Sequence, residues 1–365
     1  MDKREKTILD ILTKNPLAQQ HEIAKVLGIS RSRVAGHIMN MINKGVIKGK
    51  GYILNKRKQC VIVGAMIFDV IAAGTKGQSG GSSSPAKIGC HAGGVGRNIA
   101  HNLAMLDVET HLISVVGDDF YGSNILEQTI AAGVNVQGCS RIHGRNTATY
   151  ISIHDSSGSV INAVNDTGIM DDLTPSMLIK HKELFVHSEV IVADCNLSED
   201  ALEWIFIHAG ETPVFVMPVS EFKVLKIKKW LSKIDTIILS VAEIFLMSDG
   251  IPEKKENLEL AIESVGGQGV KNIYILNDTG LLAYYTESKT HFINDMNKKE
   301  ISYAEGIDNA FMAGLIFSYI HNLELDEKIE LSQICAFISG QQELVNSPNF
   351  TTEHLLHYVR KSWSD

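Results

Sequence analysis

The sequence predicts an α/β fold, a mainly parallel sheet sandwiched by helices, preceded by a small basic helical head. Three observations carry that prediction. Apolar runs of strand length recur from Cys60 onward, among them CVIVGAMIFDV, SEVIVADCN, PVFVMPVS and TIILS, with helical segments between several of them. Near-continuous apolar strands belong to parallel sheets covered on both faces. The charge is divided as well: residues 1–58 hold 13 Lys+Arg against 4 Asp+Glu, net +9, leaving −17 for the remainder of a chain whose total is −8. At 365 residues and 44% hydrophobic, the chain can bury a large core and still carry an appendage. A head over 1–58 and a body over 59–365 follow.

In the head, Ile8, Leu9, Ile11 and Leu12 recur at helical spacing, and Asn15-Pro16 ends that helix. A second helix carries Ile23, Val26 and Leu27 and stops at Gly28. Ser30 is an N-cap for a third, whose Val34, Ile38, Met41 and Ile42 form the buried stripe and leave Arg31, Ser32, Arg33, Gly36 and His37 outside. VIKGKGYIL then reads as a hairpin around Lys48-Gly49-Lys50-Gly51, and NKRKQ at 55–59 as a linker. This order resembles the winged helix-turn-helix of bacterial transcription factors. The resemblance implies DNA as partner, with Ser30, Arg31, Ser32, Arg33 and His37 at base edges and Lys48 and Lys50 on phosphates. A small helical docking module with a solvated basic face is the other reading of the same residues. Winged-helix proteins often read paired half-sites, which makes a homodimer the assembly to test.

The body continues with THLISVVG, ATYISIHD, NIYILND and GLLAYYT as further strands. In parallel sheets ligands gather at the carboxyl ends of strands, so the residues after each run are the ones to watch. Two glycine-rich segments stand out. HAGGVGRNIAHNLAML opens a helix with Gly93, Gly94 and Gly96, and its Asn98 can donate to and accept from hydroxyls. It is no dinucleotide fingerprint, because that spacing would need glycine at Ile99. The second is YAEGIDNAFMAGL, where Gly306 precedes an apolar helix whose free N–H groups suit a transferring phosphate.

Together, about 210 residues apart, these segments resemble the ribokinase-like (PfkB-type) carbohydrate and nucleoside kinases over residues 60 to about 350. VGAMIFD, VVGDDFYG at 115–122, TATYISI at 147–153 and the VAE ending at Glu243 support the resemblance. With the winged-helix head, the chain looks like a subgroup of bacterial sugar kinases related to pseudouridine kinase. The resemblance implies a sugar or nucleoside substrate held by Asp69, Asn98, Gly93 and Gly94. It implies ATP as cofactor, with Ser240, Asn277 and Gly280 on the nucleotide side, and Mg²⁺ organised by Glu243. It also implies a small lid, with segments near 70–92 and 145–165. The GTKGQSGGSSS stretch at 74–84 is either a lid portion that orders on binding or a strand lost outright.

Six departures concern the chemistry. Asn309 stands at the base position of the second signature, and Asp308, just before it and two residues after Gly306, replaces the anion-hole glycine. Met217 and Ile67 stand where relatives often carry Asp and Asn, Asn277 stands where a glycine is usual, and Ser240 replaces an asparagine three residues before Glu243. An amide accepts no proton usefully near neutral pH, and losing a general base costs roughly 10²- to 10⁴-fold in rate. Asp308 becomes a replacement base only if the helix start shifts, since one residue is a rotation of about 100°. Three functions stay open: a working kinase, a ligand-sensing transcriptional regulator with a kinase-derived body, and a degraded kinase that keeps its fold.

No apolar segment has the length of a bilayer span and no leader-type h-region is evident, so the expectation is a cytoplasmic protein with no membrane partner. The five cysteines, Cys60, Cys90, Cys139, Cys195 and Cys335, are scattered without metal-ligand spacing and read as ordinary reduced thiols.

Overall fold

The computed structural model describes residues 1–48, 58–74, 85–156, 160–293, 306–341, 346 and 350–355. Most of the expected wing with Lys50, the 75–84 stretch and Tyr303 to Glu305 lie outside the described residues. The chain divides into two compact units, Met1–Lys58 and Gln59–Asp365.

The first unit packs α1 (Lys3–Lys14), α2 (Gln20–Leu27) and α3 (Arg31–Asn43) around Ile8, Leu12, Ile23, Val34, Ile38 and Met41. Asp2 and Glu5 close the start of α1 as a capping box. The same Glu5 is buried and accepts Asn40 Nδ2 at 2.6 Å and Lys44 Nζ at 3.4 Å, which ties α1 to α3. Gly28 ends α2 in a left-handed conformation, and Ser30 caps α3 by accepting Arg33 N at 3.3 Å. Ile42, expected in the buried stripe, is exposed, as is Val26. Ile42 follows the buried Met41 by one residue, a rotation of about 100° that carries it off the face shared by Val34, Ile38 and Met41.

In the second unit the strands are β1 (Gln59–Val63), β2 (Ile67–Gly74), β3 (Ala86–Gly93), β4 (Glu109–Ile113), β5 (Val115–Gly117), β6 (Ser140–Ile142), β7 (Thr149–His154), β8 (Val160–Asp166), β9 (Val190–Asp194), β10 (Val214–Met217), β11 (Thr236–Ser240), β12 (Asn272–Asn277), β13 (Gly280–Thr286) and β14 (Lys289–Phe292). The helices are α4 (Val95–Met105), α5 (Phe120–Ala131), α6 (Pro175–Leu178), α7 (Lys182–His187), α8 (Glu199–His208), α9 (Glu221–Val224), α10 (Val241–Met247), α11 (Leu258–Gly267), α12 (Ile307–His321) and α13 (Leu325–Ser339).

The core sheet runs β14-β13-β12-β11-β10-β9-β1-β4, parallel from β4 to β12, with β13 and β14 added antiparallel at one edge. Alternate residues of each strand feed two cores. Val61, Ile191, Val216 and Ile237 pack with α8, α10 and α11, whereas Ile62, Val192, Phe215 and Ile238 pack with α4, α12 and α13. The strand order reverses at β1, which has β4 on one side and β9 on the other, and such a reversal opens a crevice at the carboxyl ends.

CVIVGAMIFDV, expected as one strand, is two. The chain leaves the core sheet at Gly64-Ala65-Met66 and continues as β2 of a separate four-stranded sheet ordered β3-β2-β7-β8. Asp69 therefore sits on this small sheet and not on the first core strand. THLISVVG likewise divides into β4 and β5. Strands β2 and β3 flank the 75–84 stretch and pair along their length, from Ile67↔Gly93 to Gly74↔Ala86. Both readings of the 74–84 stretch fall, apart from Gly74, outside the described residues.

Candidate active site at the carboxyl ends of the core strands

A cleft of about 980 Å³ lies where β9, β10, β11 and β12 end and the small sheet faces them. Asp69, Gly94, Asn98, Ser240, Glu243, Asn277, Gly306, Asp308 and Asn309 all line it. Gly93 and Gly280 stand behind this surface: Gly93 backs Asp69, and Gly280 pairs with Asn277 across the turn between β12 and β13. Ile67 and Met217 also line the cleft, so those two departures from the familiar pattern face the ligand space.

On the small sheet one cross-strand row runs His91↔Asp69↔Tyr150↔Asn165. Asp69, Tyr150 and Asn165 of that row line the cleft. Gly93 is needed because any Cβ there would overlap the Asp69 carboxylate, and Gly94 because its φ is 94° and a Cβ would meet the backbone of Ala65 and Ile67. Asn98 is buried in the first turn of α4, and its Oδ1 accepts Arg97 Nη1 at 3.2 Å. That bond fixes which end of the amide is which. The oxygen is committed to Arg97 and the nitrogen is the group available to a ligand. Arg97 itself is buried, and it also donates to Ala92 O at 3.1 Å and to Asn346 Oδ1. Burial draws its guanidinium down to about 10, against the pull of Asp69.

On the opposite wall, Ser240 caps α10. Its Oγ accepts Glu243 N at 3.2 Å and its own N–H donates to Glu243 Oε2 at 2.8 Å. Burial holds Glu243 above the usual glutamate range, the Ser240 bonds pull it down, and the like charges of Asp308 and Glu221 add to the rise. A buried carboxylate, raised by burial and further by neighbouring carboxylates, suits a hard cation with oxygen ligands, which would relieve that repulsion. The residues thus fit Mg²⁺ held by Glu243 with Asp308 nearby.

Gly306 is the left-handed N-cap of α12. The N–H groups past it are partly spent: Ala310 N donates to Gly306 O at 3.1 Å, and Asn309 N donates to Asp308 Oδ1 at 2.8 Å. Asn309 is 5% exposed, and its Oδ1 accepts no hydrogen bond among the described residues.

Four cleft residues were not singled out in sequence. Asn196 and Lys223 follow β9 and β10, where the strand-end rule directs attention, but neither lies in a glycine-rich segment. Tyr150 and Asn165 are alternate residues of small-sheet strands, and only the register brings them beside Asp69. A fifth, Asp194, is fully buried; it accepts Ala65 N at 2.7 Å, Gly96 N at 2.9 Å and Asn196 N at 2.9 Å. It pins the end of β1 to the start of α4, and burial raises its carboxyl above the usual range.

In the first unit, Ser30, Arg31, Ser32 and Arg33 are exposed at the start of α3, and Lys48 is exposed after it. His37, expected on the outside with them, is only half-exposed, because its Nδ1 lies 3.8 Å from Asp2 Oδ2.

Comparison with known proteins agrees with this architecture. Residues 57–352 match the family model described as pfkB family carbohydrate kinase, and residues 1–48 match one described as winged helix-turn-helix DNA-binding. The chain is 41% identical over 360 residues to the protein named uncharacterized sugar kinase YeiI of Escherichia coli (strain K12), covering 98% of this chain and 99% of that one. It is 33% identical over 321 residues to the pseudouridine kinase of the same organism, covering 85% and 99%. Arabidopsis thaliana ribokinase, solved with ribose and ATP, superposes with a TM-score of 0.72 at 17% identity over 83% of this chain and 99% of that one, a likeness of fold. With one family model spanning the body and relatives matched nearly end to end, the chain belongs to the pfkB family of carbohydrate kinases, in a form carrying a winged helix-turn-helix before the kinase fold.

Proposed function

We propose that the chain is a Mg²⁺- and ATP-dependent kinase that phosphorylates a hydroxyl of a sugar or nucleoside, a pseudouridine-like nucleoside being the favoured substrate. The observation that carries this reading is the single cleft, which brings Asp69 and Asn98 into one space with Glu243, Asp308 and Asn309. Its volume, about 980 Å³, is at the upper end of ordinary ligand sites (roughly 300–1,000 Å³), as two reactants side by side require. The similarity to Escherichia coli pseudouridine kinase supports the nucleoside.

In this reading Asp69 accepts from a substrate hydroxyl and Asn98 Nδ2 donates to another. Asn277 and Gly280 border the nucleotide, and Ser240 holds Glu243 toward the metal. Mg²⁺, when bound, would neutralise the phosphate charge facing the carboxylates of this wall. The unpartnered Asn309 Oδ1 can orient the attacking hydroxyl without removing its proton. Asp308 can take that proton only from a shifted helix start, so turnover is expected to be slow, by the roughly 10²- to 10⁴-fold that a missing base costs.

The test is ATP consumption by the native chain with a panel of pentoses, hexoses and nucleosides, run beside Asn309→Asp and Glu243→Ala. Substrate-dependent turnover that Glu243→Ala abolishes is the expected result; no turnover from either the native chain or Asn309→Asp overturns the kinase.

A second reading is a ligand-sensing regulator that turns over little or nothing. The Asp308 carboxylate on Asn309 N favours it, because the place of a phosphate oxygen is already taken. Ligand-induced rise in melting temperature with altered DNA retention, and no ATP consumed, would select it. Both readings give residues 1–58 to DNA, through Ser30, Arg31, Ser32, Arg33 and His37 at the groove and Lys48 and Lys50 at phosphates. Retention of genomic fragments that weakens steeply with salt is the expected mark of that contact, and no retention at low salt would refute it.

A further inference from the structure

The charge lining the cleft is lopsided. Among the described residues, five carboxylates, Asp69, Glu221, Glu243, Asp278 and Asp308, and one cationic side chain, Lys223, line it. A polyphosphate entering such a space meets net repulsion, so where that one ammonium points matters.

Lys223 is half-buried on α9, just after β10, and among the described residues no carboxylate lies within salt-bridge distance of it. Its Nζ donates instead to a neutral group, Asn196 Oδ1, at 2.5 Å. Burial draws the ammonium below the usual lysine range, and Asp194 behind it pulls the other way. Asp194 is engaged by three backbone N–H groups, two on Oδ2 and one on Oδ1, and makes no hydrogen bond to Lys223 among the described residues. The neighbouring Lys226 is engaged elsewhere, on Cys195 O at 3.1 Å and Leu197 O at 2.8 Å, which holds the loop after β9 in place.

Asn196 shows the same incompleteness from the other side. It is 5% exposed and its Nδ2 reaches no acceptor in hydrogen-bonding geometry, although Asp194 is close enough to feel its amide. Because Oδ1 accepts from Lys223, Nδ2 is the end of the amide left to donate. A buried donor without an acceptor is unfavourable, and a desolvated ammonium against a neutral amide is likewise unsatisfied. Both donors line the cleft side by side, and an anionic oxygen placed there would satisfy both.

We infer that Asn196 Nδ2 and Lys223 Nζ form a phosphate-oxygen site, which receives the transferred phosphoryl group and offsets the carboxylate that Asp308 puts beside α12. The site rests on the kinase reading only for the source of the phosphate. Its chemistry, two adjacent donors of which one is charged, is independent of turnover.

The experiment uses the full-length chain. Binding of inorganic phosphate, and separately of a non-hydrolysable Mg-ATP analogue, is measured by calorimetry for the native protein, Lys223→Met, Lys223→Arg and Asn196→Asp, with melting temperature as the folding control. Phosphate affinity should fall at least about tenfold in Lys223→Met and Asn196→Asp and stay within about threefold in Lys223→Arg. Phosphate binding that is absent from the native chain, unchanged in Lys223→Met, or lost equally in Lys223→Arg overturns the site. The two readings separate cleanly. Turnover that survives Lys223→Met undiminished retires the anion site and leaves the kinase standing. Phosphate binding that follows Lys223 in a chain consuming no ATP retires the kinase and leaves the site.

Discussion

Asp308 Oδ1 accepts the backbone N–H of Asn309 at 2.8 Å, so the amino end of α12 is closed by a carboxylate from its own first turn. Two residues together set the rate in that geometry: one blocks an N–H and the other lacks basicity. Asn309→Asp should raise kcat by roughly 10²- to 10⁴-fold. Asp308→Gly combined with it should be faster again, because it restores the N–H and removes the like charge. Coupled ATP consumption measures both, and a double variant no faster than the native chain would sink this account.

The Arg97 bond to Asn98 Oδ1 makes a specific prediction about amide polarity. Asn98→Asp keeps an acceptor for Arg97 but presents no donor to the cleft. The fold should persist, with melting temperature unchanged or raised by the new ion pair, while KM for the sugar or nucleoside rises about tenfold or more. A KM unchanged by this variant would remove Asn98 from substrate binding.

Glu243 sets a pH dependence for metal binding. Its carboxyl is held above the usual glutamate range by burial, with Asp308 and Glu221 adding to it. The folded state therefore favours the protonated form, and the ionised form that binds Mg²⁺ is complete only above the raised value. Stabilisation by Mg²⁺ should be full at neutral to alkaline pH and weaken as pH falls through that value, by about tenfold in affinity per pH unit below it. Melting temperature with and without Mg²⁺ across pH reads this directly. Glu243→Gln should flatten the curve.

Asp194 predicts a stability effect rather than a chemical one. Asp194→Ala strands the N–H groups of Ala65, Gly96 and Asn196 in a fully buried place, at about 1–3 kcal/mol each, partly offset by relief from burying the charge. A net loss of about 3 kcal/mol in urea unfolding is expected. Loss below about 1 kcal/mol would mean that the junction of β1 and α4 is held by packing alone.

Much of this architecture is legible in the sequence because it rests on local rules. Continuous apolar runs mark the parallel strands, and Gly28 and Ser30 mark the turn before α3. What was not legible depends on register and reach. CVIVGAMIFDV has the apolarity of one strand, and nothing in its pattern says that the chain leaves the sheet at Gly64, where Asp194, 130 positions later, closes against it. Lys223 and Asn196 follow separate strands, and their pairing exists only because β9 and β10 are neighbours. Of the four apolar residues assigned to the buried face of α3, Ile42 lies about 100° round from Met41 and turns away from the core. Asp308 was visible as a misplaced charge. That it folds back onto Asn309 N is a matter of side-chain geometry that spacing does not encode.

The row His91, Asp69, Tyr150 and Asn165 belongs to the small sheet, while Glu243, Asn277 and Asp308 belong to the core sheet and its helices. In the proposed reading, the Asp69 side of the substrate site and the phosphate-side residues are thus carried on different pieces of scaffold, with Asn98 of α4 on the core side. Exchanging the strands of the small sheet for those of a relative with another sugar preference would transplant specificity as a cassette, with the nucleotide half inherited unchanged.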